Sequence, residues 1–382
     1  MMQINELSNE QKIVLLFSSY PFPATEALNR ALNLFKDNHA SVDYQKIYEI
    51  AALNGVAPLL YRNLQNFENL PRFFKDRLYN AYMHSLKNNV LNAEETLKLL
   101  DFLQKEKIQA IPLKGSIASE IIFNDSGIYP ATDIDILIRP EDMEKSERII
   151  LRCGYEKVRF PEPEDLLSSH YHFIYKKENF FLELHWNLVK RYFVVSSDFW
   201  WQEIVTLNYS GIELKFLSPE RYIIYAVFRL FDHCFSPLKF FVFISGLISK
   251  YEKEIDWGKL LFYAGYYKME KLMIFTLKLL NELYSTPCAD VILKKRNKGY
   301  DFLKRKAIKN IFMENKKEHL KMMLFSLLLD SPLDYARLIF ERIFPKPSEI
   351  RLRYGLSMNS KKVYAYYLMN PFLVFIRKNT KT

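Results

Sequence analysis

The sequence predicts an α+β fold in which a small mixed β-sheet core is flanked by N- and C-terminal helical regions. Residues 1–106 and 218–382 carry apolar residues at helical spacing, whereas only residues 107–217 alternate short apolar runs with helix-like segments. A chain of 382 residues is also long enough for two or three packed units. We therefore divide it at residues 106 and 217.

The N-terminal region is predicted to be helical because apolar residues recur three and four positions apart. The stretches with this spacing are Ala24–Phe35, Tyr44–Leu53 and Phe73–Leu103. The C-terminal region is predicted to open a helix at Ser218 and Pro219, since serine suits an N-cap and proline suits the first helical turn.

The core, residues 107–217, has the short apolar runs expected of strands. We predict strands at Ile108–Leu113, Thr132–Arg139, Tyr155–Arg159, His170–Lys177 and Phe180–Leu188, with a further edge strand at Ile212–Leu217. Helices are expected to begin at Gly115–Ser116 and at Pro140, and Glu178–Asn179 is expected to form a hairpin turn.

Composition narrows the class of protein. Cys153, Cys234 and Cys288 are far apart and form no CxxC pair, which argues against a disulfide framework or a structural zinc site and favours a reducing, cytoplasmic location. The apolar stretches Phe240–Ile248 and Val363–Ile376 are shorter than the roughly 18 to 20 residues that span a bilayer. We therefore expect no stable membrane insertion.

Two acidic residues share one face of the predicted strand Thr132–Arg139. Side chains alternate along a strand, so Asp133 and Asp135 point one way and the intervening isoleucines point the other. Two carboxylates side by side are unfavourable when partly buried without a cation, so we interpret the pair as ligands of a divalent metal. A solvent-exposed edge strand would give the same pattern without a metal.

The predicted strand Phe180–Leu188 carries a third acid. Alternation puts Glu183 and His185 on one face of this strand, opposite apolar residues. If the strand lies beside the one that carries Asp133 and Asp135, three carboxylates converge and suit a two-metal site for phosphoryl transfer.

Lys114, Gly115 and Ser116 form a third candidate element, where a strand runs into a helix. Backbone N–H groups, a serine hydroxyl and a helix N-terminus bind phosphate oxygens, and a lysine adds positive charge. Glycine at such a turn also has a purely conformational explanation.

Three histidines lie near these motifs: His170, His172 and His185. His185 is the accessory candidate because it shares a face with Glu183. A general-base or phosphate-contacting role and a hydrogen-bonded structural role are both compatible with the sequence.

The order of these motifs resembles the DNA polymerase β-like nucleotidyltransferase superfamily, which combines a helical Gly-Ser turn, a DxD strand and a third acid on a neighbouring strand. More narrowly, LKGS, ATDIDILIRPED, CGYE and LELHWNL resemble a bacterial nucleotidyltransferase-like family with an LKG turn, a DIDLLV strand and an ELHW strand. The resemblance extends into the flanks through VAPLLYRNL and IDWGKL.

The resemblance implies a metal-dependent enzyme that moves a nucleoside monophosphate from a nucleoside triphosphate to an acceptor and releases pyrophosphate. Asp133, Asp135 and Glu183 would be the catalytic and metal-ligating residues, with Mg²⁺ or Mn²⁺ as the cofactor, and Glu183 would also help to activate the acceptor. Gly115 and Ser116 would face the triphosphate. The acceptor stays open among RNA, protein and small molecules, as does the oligomeric state.

Two features depart from the family pattern. Tyr129 precedes Pro130 where the family often has an arginine, so one expected phosphate-facing charge is absent. The interval from Gly115 to Asp133 is also longer than in the smallest members.

Two alternatives to an enzyme remain at this point: a non-catalytic relative that binds nucleotide or a partner, and a basic helical nucleic-acid-binding protein. The second draws on the net charge of +10 and on the segment Lys294–Lys321, whose eleven Lys/Arg against three acids leave a local charge of +8. A solvated helix face is the commoner explanation of such a run.

Overall fold

The computed structural model describes residues 7–21, 42–158, 171–190, 193, 195–295, 299–312, 318–345, 347–357 and 360–376. Its N-terminal helices are α1 (Asn9–Phe17), α2 (Tyr44–Leu53), α3 (Ala57–Leu64) and α4 (Arg72–Lys105). The predicted helix Tyr44–Leu53 is confirmed with the same bounds, and Phe73–Leu103 lies within α4. The predicted helix Ala24–Phe35 lies outside the described residues.

Five strands of the described chain form one mixed sheet. They are β1 (Ala110–Pro112), β2 (Ile134–Ile138), β3 (Glu156–Lys157), β4 (His172–Lys177) and β5 (Phe180–His185). Their order across the sheet is β1-β2-β5-β4-β3, with β2 and β5 parallel and the other neighbours antiparallel. The predicted α+β class with a small mixed sheet is confirmed.

The prediction that Ile212–Leu217 adds an edge strand to this sheet is wrong. Strand β7 (Ile212–Phe216) pairs with β6 (Val205–Tyr209), which was not predicted, in a separate two-stranded sheet. The turn explains the pairing: Ser210 and Gly211 both have positive φ, which is the geometry of a tight hairpin turn that folds the two strands onto each other.

Helices precede the sheet, lie between its strands and follow it along the chain. The core contains α5 (Ser116–Phe123) and α6 (Met143–Arg152), the latter preceded by a 3₁₀ turn at Pro140–Asp142. The C-terminal helices are α7 (Pro219–Asp232), α8 (Leu238–Lys250), α9 (Trp257–Tyr266), α10 (Glu270–Tyr284), α11 (Asp290–Lys294), α12 (Tyr300–Ile311), α13 (Glu318–Phe325), α14 (Pro332–Ile343), α15 (Pro347–Tyr354) and α16 (Lys362–Ile376). In the described ranges, no helix combines the length and apolar character needed to cross a membrane.

Buried apolar side chains from all three regions join in one continuous cluster. One contact between regions positions the site directly: the hydroxyl of Tyr222 on α7 donates a hydrogen bond of 2.6 Å to the backbone oxygen of Leu113. The backbone N–H of Leu113 in turn bonds to Asp135 O at 3.0 Å. The segment that precedes Lys114 is therefore held between β2 and a C-terminal helix.

Candidate active site

The parallel pairing of β2 and β5 brings two of the predicted acids together. Its register places Asp135 opposite Glu183, and every residue of β2 is buried. Because side chains opposite each other on neighbouring strands share a face of the sheet, the two carboxylates lie side by side. Asp133 immediately precedes β2 on the same face, so the convergence predicted from alternation is present.

The three carboxylates form a compact cluster. One oxygen from each of Asp133, Asp135 and Glu183 lies within 4.8 Å of the others. The side chain of Asp133 is 25% exposed, that of Glu183 is 19% exposed, and that of Asp135 is fully buried. Glu183 Oε2 is buried and lies 3.3 Å from His185 Nε2. Oxygen donors of this kind fit Mg²⁺ or Mn²⁺.

Lys114 lies at the centre of this cluster. Its Nζ is 2.7 Å from Asp133 Oδ2 and 2.6 Å from Asp135 Oδ2. Burial lowers the pKa of this lysine, but the charges of Asp135 and then Asp133 outweigh it and hold the pKa well above its usual value. In this structure Lys114 thus neutralises the acids, whereas the sequence placed it among the phosphate contacts.

His185 provides a second internal contact to the acids. Its Nε2 donates a hydrogen bond of 3.1 Å to Asp135 Oδ1 and lies 3.3 Å from Glu183 Oε2. Burial lowers the pKa of His185, but the hydrogen bonds to Asp135 and Glu183 outweigh it and raise the pKa above its usual value. The expected proximity of His185 to Glu183 is therefore present, with Asp135 as a further partner.

A second histidine, His172, also lies near Glu183. His172 Nε2 is 4.0 Å from Glu183 Oε1. Burial, followed by the neighbouring His185, lowers the pKa of His172 to about 3, so its ring is neutral at pH 7. His170 lies outside the described residues.

The Gly-Ser turn lies beside the same cluster. Gly115 has φ +103°, a conformation that side-chain-bearing residues rarely adopt, and an added Cβ would lie 3.4 Å from Asp133 O. Ser116 is the first residue of α5 and is buried. Glycine is therefore favoured here by the backbone conformation of the turn, which lies at van der Waals distance from the chain around Asp133.

A cavity of about 260 Å³ opens at this point. Lys114, Gly115 and Asp133 line it, whereas Ser116 is absent from its wall. The opposite wall comes from the C-terminal region, through Arg229 and His233 at the end of α7 and Lys239 at the start of α8. The cavity thus has several basic side chains around the edge of the carboxylate cluster.

Sequence reasoning missed the residues of that opposite wall. Arg229 and His233 are four positions apart, so they fall on one face of a helix whose other residues are mainly apolar. Charged residues embedded in an apolar helix were the available signal. Lys239 also occupies the region left without the expected arginine, with Nζ 5.5 Å from the centre of the Tyr129 ring.

Two buried asparagines of α4 hold the loop that leads into β2. Asn89 Nδ2 donates hydrogen bonds to Ser126 O at 2.5 Å and Tyr129 O at 2.8 Å, and its Oδ1 accepts one from Ala131 N at 3.1 Å. Asn92 Nδ2 donates to Ala131 O at 3.4 Å. These bonds satisfy loop backbone groups away from water and fix the approach to Asp133.

A comparison with protein families matched the part of the chain that contains these elements. A family described as uncharacterised nucleotidyltransferase matches residues 40–285, which include the sheet, both acidic strands and the residues of the cavity. No curated protein and no solved structure matched the sequence. Because the match covers more than half of the 382 residues, the chain belongs to this family of uncharacterised nucleotidyltransferases.

Proposed function

We propose that this protein transfers a nucleoside monophosphate from a nucleoside triphosphate to an acceptor. The observation that carries the proposal is the register of β2 and β5, which sets Asp135 beside Glu183 with Asp133 at the edge of an open cavity. In the reaction, an acceptor oxygen forms a bond to the α-phosphorus. The bond from that phosphorus to the bridging oxygen breaks, and pyrophosphate leaves with the electron pair.

The carboxylates of Asp133, Asp135 and Glu183 are the residues that would hold Mg²⁺ or Mn²⁺. When bound, the cation neutralises phosphate charge and stabilises charge that develops in the transition state. Asp133 and Asp135 would orient the triphosphate side of the site. Glu183, on the neighbouring strand, would lie nearest the acceptor and help to remove its proton.

Lys114, Gly115 and Ser116 complete the proposed nucleotide site. The backbone at Gly115 borders the cavity and can approach phosphate oxygens without a side chain in the way. Lys114 would exchange its carboxylate partners for phosphate when cation and nucleotide bind. Ser116, outside the cavity wall, would act through the N-terminus of α5.

A labelling assay tests the proposal. The protein is incubated with nucleoside triphosphates labelled in the α-phosphate, Mg²⁺ and cell extract, and labelled acceptors are identified among RNA, protein and small molecules. Glu183→Gln should lower turnover more than nucleotide affinity, whereas Ser116→Ala should change both little, because alanine keeps the backbone N–H groups at the N-terminus of α5. Equal losses of turnover and affinity in Glu183→Gln would point to a structural role for that residue.

One observation favours a second candidate, a protein that binds nucleotide without turnover. Lys114 and His185 already contact the acids, so the carboxylates are partly neutralised by the chain itself. A binding protein would show metal-dependent nucleotide affinity and no labelled product with any acceptor class. Labelled product that disappears in Asp135→Asn would exclude this candidate.

A further inference from the structure

We propose that Arg229 and Lys239 form a binding site for the β- and γ-phosphates of the nucleotide, contributed by the C-terminal helical region. This inference rests on the proposed function and specifies which part of the substrate enters the cavity. Both side chains line the wall that faces Lys114 and Gly115.

Arg229 is a partly buried cation without a carboxylate partner among the described residues. Its Nη1 donates a hydrogen bond of 3.2 Å to the hydroxyl of Tyr171, and its Nε is buried with no hydrogen-bond partner. A guanidinium has five donors arranged to bind planar or tetrahedral anions, and a desolvated one is stabilised when an anion fills that role. Arg229 thus has donors available to an anion in the cavity.

Lys239 is held at the cavity by contacts with residues that are distant from it in the sequence. Its Nζ donates to Pro130 O at 3.3 Å, and no carboxylate within the described ranges pairs with it. Its methylene stem packs on Gly55, where an added Cβ would lie 2.8 Å from Lys239 Cδ. Asn54 accepts bonds from Leu238 N and Lys239 N, both at 3.1 Å. These contacts hold the Lys239 side chain at the cavity wall, where its ammonium group has no carboxylate partner in the described part of the chain.

The size and charge of the cavity select a polyphosphate group. Its volume of about 260 Å³ is below the roughly 300–1,000 Å³ of pockets that enclose a whole drug-sized ligand, so it suits one part of a nucleotide. Arg229 and Lys239 line the wall without a carboxylate partner in the described chain, and the wall carboxylate, that of Asp133, is already paired with Lys114 at 2.7 Å. A strongly charged anion beside the metal-ligating acids matches this balance, since several cations bind it at once.

The test measures binding of inorganic triphosphate, in the presence of Mg²⁺, by titration calorimetry on the full chain. We expect Lys239→Gln and Arg229→Gln each to weaken binding by about tenfold to a hundredfold, the range for a hydrogen bond between charged groups. Lys250→Gln is the matched control, because Lys250 is exposed at the far end of the same helix as Lys239. The affinity of this variant for inorganic triphosphate should stay within twofold of wild type.

A competition series separates the phosphates. The same variants should lose affinity for a nucleoside triphosphate and keep that for the corresponding monophosphate. Equal losses for both nucleotides, or wild-type triphosphate affinity in Lys239→Gln, would overturn the assignment. Lys239→Gln is the decisive variant if the more buried Arg229→Gln unfolds, which thermal unfolding would reveal.

The outcomes for the two proposals are distinguishable. Triphosphate binding that depends on Arg229 and Lys239, together with no transfer to any acceptor, would support the site and defeat the enzyme proposal. Transfer activity that is unchanged in both variants, with unchanged triphosphate affinity, would defeat the site and leave the enzyme proposal standing. Absence of triphosphate binding by the wild-type protein would also defeat the site.

Discussion

The ammonium group of Lys114 lies 2.6 Å from Oδ2 of Asp135, a carboxylate with no solvent exposure. The backbone bond from Leu113 to Asp135 brings the two residues into this contact. A buried acid that gains an internal cation does not need a metal ion to fold. If a metal ion binds at these acids, it would replace Lys114 as their positive partner, and this exchange can be tested.

Replacing Lys114 should make the fold dependent on divalent cation. Lys114→Met leaves Asp135 and Asp133 without their shared cation. In the presence of a chelator we expect the free energy of unfolding to fall by about 3–5 kcal/mol, the usual loss when one partner of a buried ion pair is removed. Added Mg²⁺ should recover much of it. Lys105→Met, which breaks the exposed pair with Asp101, is the control and should cost under about 1 kcal/mol.

Denaturant unfolding with and without Mg²⁺ measures this effect. A Lys114→Met variant that is as stable in chelator as the wild type would contradict the role of this lysine as an internal counter-cation.

The two aspartates should differ when each is replaced by asparagine. Asp135→Asn removes the charge that both Lys114 and His185 contact in a buried setting, so we expect a loss of about 3 kcal/mol or more. Asp133 is partly exposed and contacts Lys114 alone of these two cations, so Asp133→Asn should cost about 1 kcal/mol. Both should abolish metal-dependent transfer.

Thermal unfolding and the labelling assay, applied to the same preparations, check both parts. Wild-type turnover in either variant would refute the assignment of that aspartate as a metal ligand.

Asn89 should be more important than its neighbour in sequence. Asn89→Ala removes three hydrogen bonds to the loop before β2 and leaves backbone groups of Ser126, Tyr129 and Ala131 without their partner, a loss of about 2–3 kcal/mol. Asn88→Ala, which removes only a contact with His84, is the matched control. Denaturant midpoints that coincide for the two variants would show that Asn89 does not fix the loop.

The ion pair between Lys190 and Asp232 should stabilise the fold at neutral pH and lose this effect in acid, when Asp232 is protonated. Burial raises the pKa of Asp232, but Lys190 outweighs this and the pKa falls below 3.8. The folded carboxyl therefore holds its proton less tightly than the unfolded one. Its contribution is present above the unfolded pKa of about 3.9 and disappears as pH falls through the lower folded value.

Unfolding free energies of wild type and Asp232→Asn, measured from pH 7 downward, should converge as the acid limit is approached. Lys190→Gln should remove the same pH dependence. A difference in unfolding free energy between wild type and Asp232→Asn that grows toward low pH would have the wrong sign and refute the explanation.

The basic segment Lys294–Lys321 is partly compensated within the protein. Lys295 pairs with Glu270, and Lys304 pairs with Glu282 at 2.8 Å. Arg305, Lys306 and Lys309 of α12 are exposed instead. These three residues are therefore the appropriate place to test an RNA or other polyanionic acceptor.

If the acceptor is a polyanion, reversing Arg305, Lys306 and Lys309 to glutamate should weaken its labelling by orders of magnitude and flatten the salt dependence, because fewer counterions are released. Nucleotide affinity should stay nearly constant, since exposed charges beyond a Debye length of roughly 8 Å are largely screened. The control reverses three exposed lysines of α4, Lys87, Lys98 and Lys105. Parallel, salt-insensitive labelling curves for wild type and the α12 variant would rule out a polyanionic acceptor.

Local pattern predicted much of the fold and the acids of the candidate site. Alternation in Thr132–Arg139 and Phe180–Leu188 identified Asp133, Asp135 and Glu183 because each acid interrupts an apolar strand. The parallel register of β2 and β5 confirmed their convergence. The sequence carried this information because side-chain direction along a strand depends only on position.

Long-range partners were not predictable in the same way. The acids suggested mutual repulsion, but no local pattern indicated that Lys114, 19 and 21 residues earlier, would bridge them. Arg229 and Lys239 reach the cavity only through the packing of helices roughly a hundred residues further along the chain. Such contacts depend on tertiary packing, which single-residue patterns do not encode.

The contact of Asn54 with the start of α8 has a consequence for protein engineering. A loop from the first helical region holds the start of a helix that borders the cavity, so residues 107–217 alone do not form the whole cavity wall. Excising residues 107–217, or grafting a different N-terminal region onto the rest, would shift the ammonium group of Lys239 even with every acid intact. Chimeras within this family should therefore exchange Asn54, Gly55 and the opening of α8 together.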